Sequence, residues 1–299
     1  MKSANRLLVV MSGLLIAACG GTPSPASTPI PIKQEVVMGF VPSQTTSIVQ
    51  TNATLIADYL SKKTGYHVTG QVLSSYAAVT EGMTSDQVDI GWVGPLDYVI
   101  AHQKNGAEAV TKSVRKGLPS YKAFIIANNN SGINSIADLK GKKFAFGDPT
   151  SASSSLYPKY MMIKAGFDPK NLGQTTNIAN QTQIAVNVCQ GVVDAGAIYD
   201  DARTNAGADT SCPGIMTKTK IIATTDPPIP GDPQMLRHDM NPDQKAKLKA
   251  AMIALGSDPT MADPLKKLYT IDSLVPAKDS DYDNLRDVIK TVQPSLLNG

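Results

Sequence analysis

Three histidines, three cysteines and a single tryptophan in 299 residues leave this chain poorly stocked for metal, redox or imidazole chemistry. Cys19, Cys189 and Cys212 form neither a CxxC pair nor a Cys/His cluster, so no metal site and no cofactor is expected. The net charge is only +3, and no run of Lys or Arg concentrates it, which excludes a dominant electrostatic contact with nucleic acid. The GxSxG elbow, the GxxxxGK phosphate loop and HExxH are all missing. His67, His102 and His238 stand in no recognisable catalytic setting, and Asp89 and Asp194, each following a valine before a strand, read as turn and capping residues. Aromatic residues are scarce at 5%, yet the 10 tyrosines outnumber the 5 phenylalanines and the tryptophan together, a bias toward rings with a hydroxyl. What is plentiful is apolar content, 42% over a length that suits two lobes.

The one long apolar run, Leu7 to Ala18, is shorter than the ~20 residues a bilayer-spanning helix needs and follows Lys2 and Arg6. Residues 1–18 therefore read as a signal peptide, whose removal takes most of the positive excess with it. Its end, Leu15-Ile16-Ala17-Ala18-Cys19, resembles a bacterial lipobox, which implies a lipidated Cys19. Gly20 to Pro29 is rich in Gly, Pro, Ser and Thr with almost nothing to bury, so residues 19–34 read as the lipidated cysteine and a flexible tether. The body is then extracytoplasmic, anchored at a membrane. In that compartment Cys189 and Cys212 can form a disulfide; two separately buried thiols are the alternative.

Beyond the tether, short β-rich runs alternate with helical patterns, as in an α/β protein with largely parallel sheets. Strands are expected at Val36 to Phe40, His67 to Leu73 and Val88 to Val93, with a helix over Ile48 to Lys63 stopped by Gly65 and another opened by Pro95. A second series follows: strands Lys143 to Phe146, Thr175 to Ile178 and Ala195 to Ile198, with helices through Tyr160 to Ala165 and over Thr182 to Cys189. Helical patterns at Asn241 to Leu255 and Leu285 to Val292 are expected to return to the first series. Residues 35–122 with 228–299 thus form one lobe and 123–227 the other, joined by a hinge with a cleft between them.

The segment richest in chemistry is Gly147-Asp148-Pro149-Thr150-Ser151-Ala152-Ser153-Ser154-Ser155-Leu156-Tyr157-Pro158. It lies between a strand and a helix, where free N–H groups and the helix dipole favour an anion. Pro158 belongs in the first turn of that helix, which places the serines at or before its start.

Gly39-Phe40-Val41-Pro42, Ser75-Tyr76-Ala77-Ala78-Val79, Val88-Asp89-Ile90-Gly91-Trp92-Val93-Gly94-Pro95, Asp138-Leu139-Lys140-Gly141-Lys142, Phe146-Gly147-Asp148-Pro149, Val193-Asp194-Ala195-Gly196-Ala197 and Pro228-Ile229-Pro230-Gly231-Asp232-Pro233 occur in an order and spacing that resemble the phosphonate/phosphite/phosphate-type solute-binding proteins of ABC importers. The resemblance implies a bilobal type II periplasmic-binding fold, no enzymatic activity, a permease partner and a chain acting as a monomer. It matches Tyr76 and Tyr121 to tyrosines that donate to the ligand, Ser151 and Ser153 to serines at a helix start, and Asp201 and Asp232 to acidic positions of the pocket. Ala152 stands where the family has a threonine, Ser154 where it has a glycine and Gln181 where aminoalkylphosphonate binders have a histidine. These departures favour a compact ligand such as phosphite, methylphosphonate or phosphate over an aminoalkylphosphonate, with Ser154 offering a replacement donor and Tyr199 filling space a longer substituent needs. A sensor subunit and a phosphatase-type hydrolase are the competing readings.

Overall fold

The computed structural model describes residues 30–297, so the expected signal peptide, Cys19 and the first part of the tether lie outside the described residues. The strands are β1 (Glu35–Phe40), β2 (His67–Val72), β3 (Ile90–Trp92), β4 (Glu108–Val114), β5 (Ser120–Tyr121), β6 (Ala123–Asn128), β7 (Phe144–Phe146), β8 (Thr175–Asn177), β9 (Ala195–Tyr199), β10 (Thr219–Thr224), β11 (Ile229–Pro230), β12 (Pro233–Leu236) and β13 (Ser273–Pro276). The helices are α1 (Thr46–Thr64), α2 (Tyr76–Thr84), α3 (Pro95–Asn105), α4 (Tyr157–Lys164), α5 (Gln181–Cys189), α6 (Ala208–Ser211), α7 (Ile215–Lys218), α8 (Pro242–Ser257), α9 (Ala262–Tyr269) and α10 (Asp283–Val292).

Helix α1 buries Val49, Ala53, Ile56 and Leu60, an apolar stripe at helical spacing. It ends where Gly65 turns to φ +73° and its N–H reaches back to the Ser61 carbonyl. The stripe packs with β1, whose Val36, Met38 and Phe40 are wholly buried on one face of a six-stranded sheet ordered β13-β4-β12-β3-β1-β2. A five-stranded sheet, β10-β6-β9-β7-β8, forms the second layer system. Its consecutive residues Ile125 and Ile126 enter cores on opposite faces, as the two-residue period of a strand requires. Leu248, Leu255, Leu265, Leu285 and Ile289 of α8 to α10 join the core of the first sheet, so the C-terminal helices do return there.

Both sheets are mixed where largely parallel sheets were expected. β1 runs parallel to β2 and β3, and β7 parallel to β8 and β9, but β12 is antiparallel to β3 and β4, and β6 antiparallel to β9 and β10. The antiparallel strands carry the chain between sheets. It leaves the first sheet through β5 and returns through β11, and these two crossings pair side by side, Tyr121 opposite Ile229. At the crossing a Cβ on Gly231 would collide with the Ser113 carbonyl, so the backbones approach as only glycine permits. The end of the expected tether departs from flexibility: Ile30 and Lys33 are hydrogen-bonded to Asn241 and Gln244 at the start of α8. Asp89 also differs from a simple turn residue. It is 2% exposed, accepts from the Val37 N–H at 2.9 Å and pairs with Arg237, tying β1 to the chain after β12.

Candidate ligand-binding site

Between the two sheets lies a cavity of about 40 Å³, against the ~10–15 Å³ that one water molecule requires. That is room for a handful of heavy atoms. The first sheet and its helices contribute Ser43, Tyr76, Trp92, Arg115, Asp232, Gln234 and Tyr269, the crossing contributes Tyr121, and the second sheet contributes Ser151, Ala152, Ser153, Gln181 and Tyr199. The two sides touch directly around it. The Tyr76 N–H donates to Asp148 at 3.2 Å, the Gln181 N–H to the Ser43 carbonyl at 3.2 Å, and Lys116 reaches Asp200 at 2.8 Å.

Ser151 caps a π-helical turn, Ala152–Leu156, which runs straight into α4. Pro158 is the second residue of α4, in its first turn as expected, and the π-turn carries helical backbone upstream of it. Proline cannot donate to the carbonyl four residues before it. Here that carbonyl, Ser154, accepts instead from the Gly147 N–H at 2.8 Å, and the widened turn absorbs the ring. A Cβ on Gly147 would collide with the Ser154 hydroxyl, so glycine is required at this approach.

The Ser151 hydroxyl accepts from the Ser154 N–H at 3.3 Å and from the Ser154 hydroxyl at 2.8 Å. The Gln181 amide points an N–H at the same oxygen from 3.5 Å, so Ser151 Oγ is surrounded by donors and its own proton is left for the cavity. The Ser153 hydroxyl lies 3.4 Å from Gln181 Oε1, and the same oxygen accepts from the Tyr199 N–H at 2.7 Å. That second bond fixes the amide, so Gln181 turns its N–H groups toward Ser151 and the cavity, in the place expected to distinguish this chain from histidine-bearing relatives. Among the described residues the Ala152 and Ser153 backbone N–H groups, at the start of the turn, have no protein partner.

Tyr76, Tyr121 and Tyr269 face the serines from across the cavity and Tyr199 stands on the serines' own side; burial, aided by neighbouring carboxylates such as Asp232, raises the pKa of the first three, and burial pushes Tyr199 up to about 12. All four keep their protons near neutral pH. The Tyr269 hydroxyl is committed to the Val41 carbonyl at 2.6 Å, and Tyr199 accepts from Asn205.

Two expected site residues do not reach the cavity. Asp201 is held by Arg203, with Nη2 at 2.6 Å and Nε at 2.9 Å, and caps a short turn of the second sheet's side. Ser154, fully buried, spends its hydroxyl on Ser151 rather than offering a replacement donor. Ser43, Trp92, Arg115, Gln234 and Tyr269 also line the cavity and were not among the expected site residues, and two of them leave a buried nitrogen without a partner among the described residues. The indole N–H of Trp92 is buried with no partner among the described residues, its ring stacked on Phe40 at 5.3 Å. Arg115 is a largely enclosed cation, its side chain 10% exposed: Nη2 donates to Asp232 at 2.6 Å, Nε to the Tyr269 carbonyl at 2.9 Å, and the third nitrogen, Nη1, is buried with no partner among the described residues. Burial works against its charge, but Asp232 outweighs that and raises its pKa. Trp92 had a signal, being the only tryptophan and lying at a strand end; Arg115 had none, since a basic pair before Gly117 looks like an exposed turn.

Cys189, ending α5, is bonded to Cys212 just after α6, with Cα atoms 6.4 Å apart. Among the described residues no group of three or more His, Cys, Asp or Glu side chains could hold a metal ion, and no helix is long and apolar enough to cross a membrane.

Two α/β halves, crossed twice by the chain and enclosing a polar cavity at their junction, define a solute-binding protein of the type II periplasmic-binding fold. The family model for the periplasmic substrate-binding proteins of phosphonate ABC transporters matches residues 38–282, and the chain belongs to that family. It is 28% identical over 308 residues to the phosphate-import protein PhnD of Mycolicibacterium smegmatis, covering 92% of this chain and 91% of that one. It is 29% identical over 215 residues to the phosphonates-binding periplasmic protein of Escherichia coli, covering 70% and 62%. The crystal structure of a binding component of a phosphonate ABC transporter from Pseudomonas aeruginosa superposes with a TM-score of 0.77 at 26% identity, covering 87% of this chain and 86% of that one. The chain is thus a transport protein that works outside the cytoplasm with a membrane permease, and not an enzyme.

Proposed function

We propose that this protein captures a small phosphorus oxyanion, phosphate, phosphite or methylphosphonate, between two lobes that close on it, and that Cys19 anchors it to the membrane as a lipoprotein. The observation that carries the ligand reading is the convergence of donors from both halves on one small cavity. Ser151, Ala152, Ser153 and Gln181 face Tyr76, Tyr121, Trp92 and Arg115 across it. Oriented N–H and O–H dipoles in an enclosed site bind an oxyanion without reorganising, which is where such donors are strongest. The size of the cavity supports a compact ligand. The paired crossing at β5 and β11 supports residues 35–122 with 228–299 as one moving lobe and 123–227 as the other.

Isothermal calorimetry of the lipid-free body with phosphate, phosphite, methylphosphonate and sulfate tests the ligand class. Binding of at least one phosphorus oxyanion, with sulfate much weaker, is expected; no binding of any of the three would sink the reading. For the anchor, Cys19→Ser should leave precursor without lipid label, and unchanged labelling would reject the lipoprotein.

A further inference from the structure

Resting on the oxyanion reading above, we infer that Arg115 is the specificity-determining residue of the cavity: its pairing with Asp232 bars ligands that carry an ammonium group, while its third nitrogen serves the anion. Among the described residues that line the cavity, Asp232 is the only carboxylate, so it is the natural seat for a cationic substituent. That seat is taken. Arg115 holds Asp232 Oδ2 at 2.6 Å and is itself fixed by Nε on the Tyr269 carbonyl and by stacking over the Tyr121 ring at 5.3 Å. The other acidic candidate, Asp201, is bonded to Arg203 and stands outside the cavity.

A ligand ammonium at Asp232 would have to share that carboxylate with the guanidinium on Oδ2, setting two like charges side by side in a largely enclosed site. An anion meets the opposite situation. The planar fork ties two nitrogens to protein and leaves Nη1, buried with no partner among the described residues, as a charged donor of fixed direction. The same residue therefore attracts a bare oxyanion and excludes an aminoalkyl one, which is discrimination by occupation of the competitor's subsite.

Ethylphosphonate and 2-aminoethylphosphonate share a head group and chain length and differ in the amine, so their affinity ratio isolates this effect from size. Wild type should bind phosphate, phosphite or methylphosphonate at least a hundredfold more tightly than 2-aminoethylphosphonate. In Arg115→Met the freed Asp232 should raise the 2-aminoethylphosphonate to ethylphosphonate ratio at least tenfold while phosphate affinity falls tenfold or more. The double variant Arg115→Met/Asp232→Asn should lose the gained amine preference. Arg115 acting only as a packing residue predicts equal weakening of all ligands and an unchanged ratio, and that result overturns the inference. Asp232→Asn alone supplies a check that does not depend on Arg115→Met folding: a marked loss of 2-aminoethylphosphonate binding would show that Asp232 was open to the amine, and overturns it too. Wild type that binds no phosphorus ligand removes the oxyanion reading and this one together; wild type that binds phosphate but equally well 2-aminoethylphosphonate removes this one alone.

Discussion

Ser151 and Ser153 stand two residues apart, yet they are built for different duties. Ser151 accepts from Ser154 twice over and caps the turn, so its hydroxyl serves both the fold and the cavity. Ser153 spends its one proton on a single long bond, 3.4 Å to Gln181 Oε1, which a charged oxyanion oxygen outcompetes. Ser153→Ala should therefore weaken oxyanion binding by roughly ten- to hundredfold, the ~1.5–3 kcal/mol of a hydrogen bond to a charged group, with little change in Tm. Ser151→Ala should cost a similar amount in affinity and in addition about 1 kcal/mol of stability from the lost cap. Calorimetry beside thermal melts of the ligand-free variants separates the two; wild-type affinity in both would place the anion elsewhere. Asp97, 1% exposed, carries a second residue-scale prediction. It accepts from the Gly94 N–H at 3.2 Å, and burial, with the charge of Asp148 adding to it, raises its pKa well above the ordinary carboxylate value, against the opposing effect of Thr150. The native state then holds a proton that the unfolded chain has released, so stability should fall as pH rises from about 4 through the raised value. Denaturant melts at pH 5 and pH 8 should show a smaller loss in Asp97→Asn than in wild type, and equal losses would acquit Asp97.

At the scale of elements, the helix start that presents the serines is a compromise among three residues. Pro158 withholds an N–H, the π-turn makes room for the ring, and Gly147 supplies the missing donor to Ser154. The disulfide secures the neighbouring helix, α5, whose first residue Gln181 is in the cavity and whose last, Cys189, is bonded to Cys212. A cross-link closing a loop 23 residues apart contributes about 3 kcal/mol in the chain-entropy model. Reduction should lower Tm and, because α5 carries Gln181, weaken ligand binding as well. Thiol titration under denaturing conditions before and after reductant, read alongside the melts, checks this, and an unchanged Tm after complete reduction would contradict it.

Over the whole molecule, the cavity exists only because two halves meet. Leu156 and Tyr157, from the segment that leads into α4, are buried in the core of the first sheet, so apolar contact reinforces the polar links at Tyr76, Gln181 and Lys116. If the halves close on ligand, saturating phosphate or methylphosphonate should shrink the radius of gyration in solution scattering. At a hundredfold excess over Kd the bound form should gain about 2.7 kcal/mol of stability. Superimposable scattering profiles with and without bound ligand would argue for a rigid cavity.

The alternation of strand and helix, the stop at Gly65, the opening at Pro95 and the serine-rich helix start were all legible in the sequence, because each is set by local periodicity, backbone freedom or capping. So were Tyr76, Tyr121, Ser151, Ser153 and Gln181 as neighbours of one cavity, since their surrounding strings carry the family pattern. The antiparallel strands β4, β6, β10 and β12 were not, because their hydrogen bonds lie between segments about a hundred residues apart and leave no local signature. Asp201 and Ser154 look like site residues in sequence, and only the fold reveals that Arg203 and Ser151 claim them first. Arg115 is the sharpest case. Its neighbours in sequence describe a basic surface turn, whereas its partner Asp232 lies 117 residues on and meets it through the pairing of β4 with β12. Charge compensation in a buried site depends on distance in space, and that quantity belongs to the tertiary structure alone.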